Sequence, residues 1–151
     1  MGKSDSGHRG SKGWLFVIPA MIVAALVLNG LEPAVRRTRL YFLDESRTRL
    51  VAETRSLALT GSMEERARLV VEELLLGPSV HSLQPLFRQD VRLREVMHRG
   101  SMLHVALEIP DPAGLGLPFG LLKSAFEKSL AGAVPGSGNL QLYVNGTPAS
   151  P

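Results

Sequence analysis

Four histidines, His8, His81, His98 and His104, are the side chains best suited to hold a metal or move a proton near neutral pH. A transition-metal site needs three or four converging ligands. His98 and His104 lie on adjoining strand segments without a carboxylate cluster or a third ligand beside them, and read as exposed polar positions on a sheet. Glu64, Glu65, Glu72 and Glu73 form the densest group of carboxylates. An acid and base pair could be drawn from them, but two residues serving a helix start and two on its solvated side account for the spacing more simply. Asp44 and Glu45 read as turn residues. Gly136-Ser137-Gly138 lacks the flanks of a nucleophile elbow, and no lysine with a hydroxyl follows it as a phosphate loop requires. No catalytic, cofactor-binding or metal-ligating residue is assigned, and the chain is not read as an enzyme.

The composition narrows the classes further. A length of 151 residues leaves room for one compact domain and an appendage. Cysteine is absent, which excludes a disulfide scaffold, a zinc finger, a thiol nucleophile and a lipid anchor on cysteine. Of the formal charge of +3, Lys3, Arg9, Lys12 and Asp5 supply +2 ahead of the first apolar run. The remainder is a solvated surface of mixed sign rather than a nucleic-acid footprint. The strand aromatics Tyr41, Phe42 and Tyr143 lack the basic-aromatic pattern of an RNA-binding sheet.

Residues 13–31 carry no charge and no polar stripe. A helix of that length reaches roughly 28 Å, close to the hydrocarbon thickness of a bilayer. Trp14 falls at the interfacial end and Pro19 in the first turns, where a missing donor costs least. Both flanks are basic, with Arg36, Arg37 and Arg39 following the run, so charge alone does not orient it. The layout does: a short basic head, 1–12, then one span, then a domain, is that of a single-pass protein of the cytoplasmic membrane with its C-terminal domain outside the cytoplasm. A cleaved signal peptide would need small residues before the cut, and neither Val27 with Asn29 nor Leu28 with Gly30 fits.

Beyond a linker at 32–38, periodicities of two and about 3.6 alternate. Arg39–Leu43 and Arg49–Leu59 read as a hairpin around Asp44-Glu45-Ser46. Ser62 and Glu65 form a capping box ahead of Ala67, Val70, Val71, Leu74 and Leu75, and Gly77-Pro78 ends that helix. Val91–His98 and Ser101–Ile109 form a second hairpin, with Leu103, Val105, Leu107 and Ile109 facing inward. A second helix spans Phe119–Leu130 with the stripe Phe119, Leu122, Phe126 and Leu130 and with Gly132 as C-cap. Leu140–Val144 is the last strand, closed by Asn145-Gly146, and 148–151 is a frayed tail. The order β-β-α-β-β-α-β predicts an α+β fold in two layers, both helices on one face of a small mixed or antiparallel sheet.

The segments Leu40-Tyr41-Phe42, Leu50-Val51-Ala52-Glu53-Thr54-Arg55, Glu73-Leu74-Leu75-Leu76-Gly77-Pro78, Leu103-His104-Val105-Ala106-Leu107 and Leu140-Gln141-Leu142-Tyr143-Val144-Asn145-Gly146, in this order, resemble a GerMN domain, the module of sporulation and germination proteins of the GerM type. The resemblance covers 39–147. Arg99-Gly100 departs from it, standing where an acidic residue with glycine is commoner. The resemblance implies a ring-building-motif-like fold and an extracytoplasmic, non-catalytic scaffold or interaction module of the cell envelope. Its partners would be other envelope proteins or further copies of itself, assembled through sheet edges, with no cofactor and no nucleic acid. A module that binds peptidoglycan or another cell-wall polymer is the alternative.

Overall fold

The computed structural model describes residues 17–23, 35–136 and 139–149. The chain divides into two units, Met1–Pro33 and Ala34–Pro151. In the first, residues 17–23 are helical. The rest of the expected span, 13–31, lies outside the described residues. Among the described residues no helix is long and apolar enough to cross a membrane.

The second unit opens with an antiparallel hairpin of β1, Val35–Leu43, and β2, Leu50–Ala58, in unbroken register from Leu43↔Leu50 to Val35↔Ala58. β1 therefore begins four residues before the expected Arg39, and 35–38 is strand rather than linker. The reason is alternation: Thr38, Leu40 and Phe42 face inward and are buried, which carries the pleat upstream through the arginines. The turn is built on Asp44. Its carboxylate accepts from Ser46 Oγ at 2.8 Å and from the amides of Thr48 and Arg49 at 2.8 and 3.1 Å. These bonds, the Ser46 hydroxyl foremost, hold its carboxyl well below the usual carboxylate range.

Helix α1, Met63–Leu76, starts at the expected capping box: Ser62 N donates to Glu65 Oε2 at 2.6 Å and Glu65 N donates to Ser62 Oγ at 3.2 Å. It stops at Gly77, whose φ of +86° suits only glycine. Strands β3, Arg92–Arg99, and β4, Met102–Glu108, form the second hairpin, with a register shift between Leu93 and Glu95. A 3-10 turn at Ala113–Leu115 leads into α2, Phe119–Ala133. The expected stop at Gly132 is overturned. The helix runs through it to Ala133 because Leu130 and Ala133 still bury against the core, and Pro135 follows the cap residue Val134.

β5, Asn139–Val144, lies parallel to β4, and after Asn145-Gly146 the chain pairs once more as β6, Thr147–Pro148. Residues 148 and 149 are thus not frayed, since Ala149 N also donates to Leu142 O at 2.9 Å. Asn145 fixes this end: its side-chain amide accepts from Ile109 N and donates to Ile109 O, both at 2.9 Å, in the manner of one more peptide in the ladder.

The strands form two sheets, β1-β2 and β3-β4-β5-β6, rather than the single sheet expected from the element order. The mixed α+β character holds, and both helices touch β1 as well as the four-stranded sheet. A partition into two sheets follows from what borders β1. Its outer edge meets α2 and the segment around Gln84 instead of another long strand: Tyr41 N donates to Ser129 Oγ at 2.9 Å, and Leu43 exchanges hydrogen bonds with Gln84 at 3.1 and 2.8 Å. Ser129 is fully buried and its hydroxyl donates a hydrogen bond to Ala125 O at 2.7 Å. Replacing Ser129 by alanine leaves the Tyr41 amide without an acceptor. The expected loss is about 1–3 kcal/mol of stability, read by urea unfolding of the full chain in detergent.

Candidate functional site

The sheet edges differ in what occupies their outward backbone groups. β1 is closed at its Tyr41–Leu43 end by Ser129 and Gln84 as above, while the outward groups of Val35, Arg37 and Arg39 have no partner among the described residues and carry exposed or basic side chains. β3 carries the irregularity at Leu93/Glu95, and its His98 amide donates to Glu64 Oε1 at 3.1 Å from α1. β6 is two residues long and ends in Pro148, which has no amide proton to offer. β2 has none of these devices. The bond from Asp44 N to Arg49 O at 2.9 Å sets the phase of the hairpin, so the odd residues of β2 bond to β1 and the even ones point away. Ala52, Thr54 and Ser56 turn their peptide groups outward on an exposed strand of nine residues, and among the described residues nothing pairs with them. β2 contains no proline, lysine or bulge.

Behind this edge sits a cluster of charge. Glu53 is only 7% exposed. Its carboxylate accepts from Arg55 Nε at 2.7 Å, from Ser79 N at 3.0 Å and from Val80 N at 3.3 Å. Arg55 also reaches Glu73 Oε2 at 2.7 Å, donates to the Gly77 carbonyl, and lies 5.3 Å over the Phe42 ring. Helix α1 has no basic residue in its last turn, and Arg55 supplies from β2 the positive charge that a helix C-terminus favours. Burial opposes ionisation of Glu53, but Arg55 and the two amides outweigh it and hold its carboxyl below the ordinary range. Burial likewise opposes the charge on Arg55, and the two glutamates more than compensate. The cluster pins α1 and residues 77–80 to β2, so the edge is held on a rigid support.

The same region collects apolar surface. Val51, Leu76 and Val80 are 39%, 79% and 46% exposed. Val51 shares the face of Glu53 and Arg55. Leu76 precedes the carbonyl that Arg55 holds, and Val80 gives its amide to Glu53. Val35 and the helical stretch 17–23 hold the other exposed large apolar side chains among the described residues.

The residues singled out for chemistry do not converge. His98 and His104 lie on opposite faces of the second hairpin. His98 pairs with the inward Leu103, and its Nε2 is buried without a partner. His104 is half-buried rather than exposed, on the outer face, with Nδ1 3.1 Å from Tyr143 Oη. Met97, Ala106, Glu95 and Arg99 complete a shallow cavity of about 230 Å³ there. His81 is exposed, and His8 and Ser137 lie outside the described residues. Among the described residues no three metal-ligating side chains come together. Glu64 and Glu65 serve the helix start, and Glu72 lies 4.0 Å from Arg68 on the solvated side. Glu73 departs from that expectation, being drawn into the Arg55 cluster. The signal for it was present in sequence: Glu53 and Arg55, two apart on one strand, share a face with Leu57 and so must be buried as a pair.

Residues 39–150 match the family model described as Germane, sporulation and spore germination. Among solved structures, the tandem GerMN domains of the sporulation protein GerM from Bacillus subtilis are 14% identical with a TM-score of 0.45, covering 77% of this chain and 41% of that one. A Clostridium perfringens protein classed as a lipoprotein is 20% identical with a TM-score of 0.41, covering 75% of this chain and 76% of that one. The chain thus spans less than half of the GerM structure. No curated protein matches it. The family match runs from within β1 past β6, well over half of the sequence, and the chain belongs to the Germane, or GerMN, family.

Proposed function

We propose that the chain is a non-catalytic interaction module of the cell envelope, anchored in the cytoplasmic membrane by residues 13–31 with its GerMN domain, 39–147, outside the cytoplasm, and that it accepts an extended segment of a partner polypeptide along β2. The bare β2 edge carries this reading. A strand of nine residues whose outward peptide groups at Ala52, Thr54 and Ser56 have no partner among the described residues is a template for strand addition, whereas β3 is bulged, β6 is short, and β1 is capped over its last three residues and guarded by arginines over the rest. The uncharged run of bilayer length carries the anchor, and membership of a sporulation and germination family accords with an envelope role.

Two measurements test it. A phosphatase fused after Pro151 is expected to be active and a cytoplasm-dependent fluorophore at the same position dark; the reverse pattern defeats the localisation. A photo-crosslinking residue at Ala52 or Ser56 in cells is expected to give protein adducts that the same residue at the exposed Glu72 does not. Retention on purified wall material, with no protein adducts, would transfer the function to polymer binding.

A further inference from the structure

The β2 edge also indicates what occupies it. We infer that its partner is β2 of a second copy of this chain, paired antiparallel about a two-fold axis through Thr54, which joins two hairpins into one four-stranded sheet. The inference rests on the reading of β2 as a strand-accepting edge and adds the identity of the strand.

Three observations support it. The first is the phase of the backbone. The outward peptide groups belong to the even residues, so a two-fold axis at Thr54 sets Thr54 against Thr54 of the second copy and Ala52 against its Ser56. All three are hydrogen-bonded positions, which gives about six bonds across the axis. Their side chains are small, and facing threonines are a favourable cross-strand pair.

The second is charge. In this register Glu53 stands opposite Arg55 of the second copy, and Arg55 opposite its Glu53. Moving the axis one residue toward either end keeps the backbone phase but sets Glu53 against Glu53 or Arg55 against Arg55. Like charges directly opposed are destabilising; the pairing of Glu53 with Arg55 inside each copy offsets part of that penalty, and what remains favours the Thr54 register over both neighbours. A self-complementary pattern of this kind is what an interface between identical surfaces requires.

The third is the apolar rim. Val51, Leu76 and Val80 remain exposed beside the edge, on the side of the Glu53 and Arg55 face. A two-fold mate brings a second set to the same seam and gives these side chains something to bury against. A membrane anchor would confine copies to a plane and raise their effective concentration, so a modest interface suffices.

Because the protein has no cysteine, single replacements report directly on the register. In membranes carrying the full chain, Thr54→Cys is expected to form a disulfide dimer on mild oxidation, since Cα atoms of a hydrogen-bonded antiparallel pair lie about 5.5 Å apart. Ala52→Cys alone places its thiols about 14 Å apart and is expected to crosslink about tenfold less. Co-expressed Ala52→Cys and Ser56→Cys chains are expected to recover the crosslink as a heterodimer. Thr54→Pro removes an outward amide while leaving the β1 bonds in place, and Thr54→Lys sets two like charges at the axis. Each is expected to abolish the Ala52→Cys with Ser56→Cys crosslink. Equal crosslinking at all positions, or none at Thr54→Cys in a folded and exported chain, overturns the inference. If photo-crosslinking at Ala52 then captures only other proteins, self-pairing alone is refuted. If it captures nothing, the strand-accepting edge falls with it.

Discussion

Arg55→Ala is expected to lower the stability of the domain by about 3–5 kcal/mol at pH 7, because it leaves the buried Glu53 carboxylate and the end of α1 without their counter-charge. The pH dependence separates this from a loss of packing. Glu53 titrates below its unfolded value in the folded protein, so its contribution is complete above about pH 4.3 and is lost as the pH falls through the folded value. The variant never has that contribution. Urea unfolding curves of the two proteins, far apart at pH 7, are therefore expected to converge in acid. A gap that stays constant from pH 7 to pH 3 would mean that Arg55 acts through its hydrocarbon stem on Phe42 and not through the ion cluster.

Phe126→Ala is expected to cost a similar amount, about 3–5 kcal/mol, by a different cause. Phe126 is fully buried on α2 and packs edge-on against Phe87, with ring centroids 6.3 Å apart and planes at 73°. Truncation leaves a void where α2 meets the segment after Gln84, the same region that closes the outer edge of β1. The loss is expected to be independent of pH between 7 and 4, since Phe126 packs within the buried apolar cluster. A strong acid dependence of the difference in unfolding free energy would contradict this account.

How far these features could be read from sequence depends on whether their cause is local. The capping box at Ser62, the glycine stop at Gly77 and the in-out alternation of β4 depend on neighbours within a few residues, and the structure places them as expected. The separation of β1-β2 from the other sheet does not. It is decided by Ser129 and Gln84, residues 88 and 41 positions from their partners Tyr41 and Leu43, and nothing in the hairpin's own pattern encodes them. Gly132 misled for a related reason: glycine is a stop signal only where the helix has no more to bury, and Ala133 and Val134 are still buried. At the candidate site, Glu53 and Arg55 could be paired from their spacing. The emptiness of the β2 edge could not, because it is defined by what every other strand does.

The parallel pairing of β4 with β5 affects how the domain is made. β4 must wait for a strand that follows a 3-10 turn and the whole of α2, whereas β1, β2 and α1 can associate as soon as they emerge. In a chain delivered N-terminus first, α2 can settle on β1 and α1 at once, but the inner β4 edge stays open until Leu140–Val144 arrives, and this interval is when the nascent domain is most vulnerable to mispairing and to proteases.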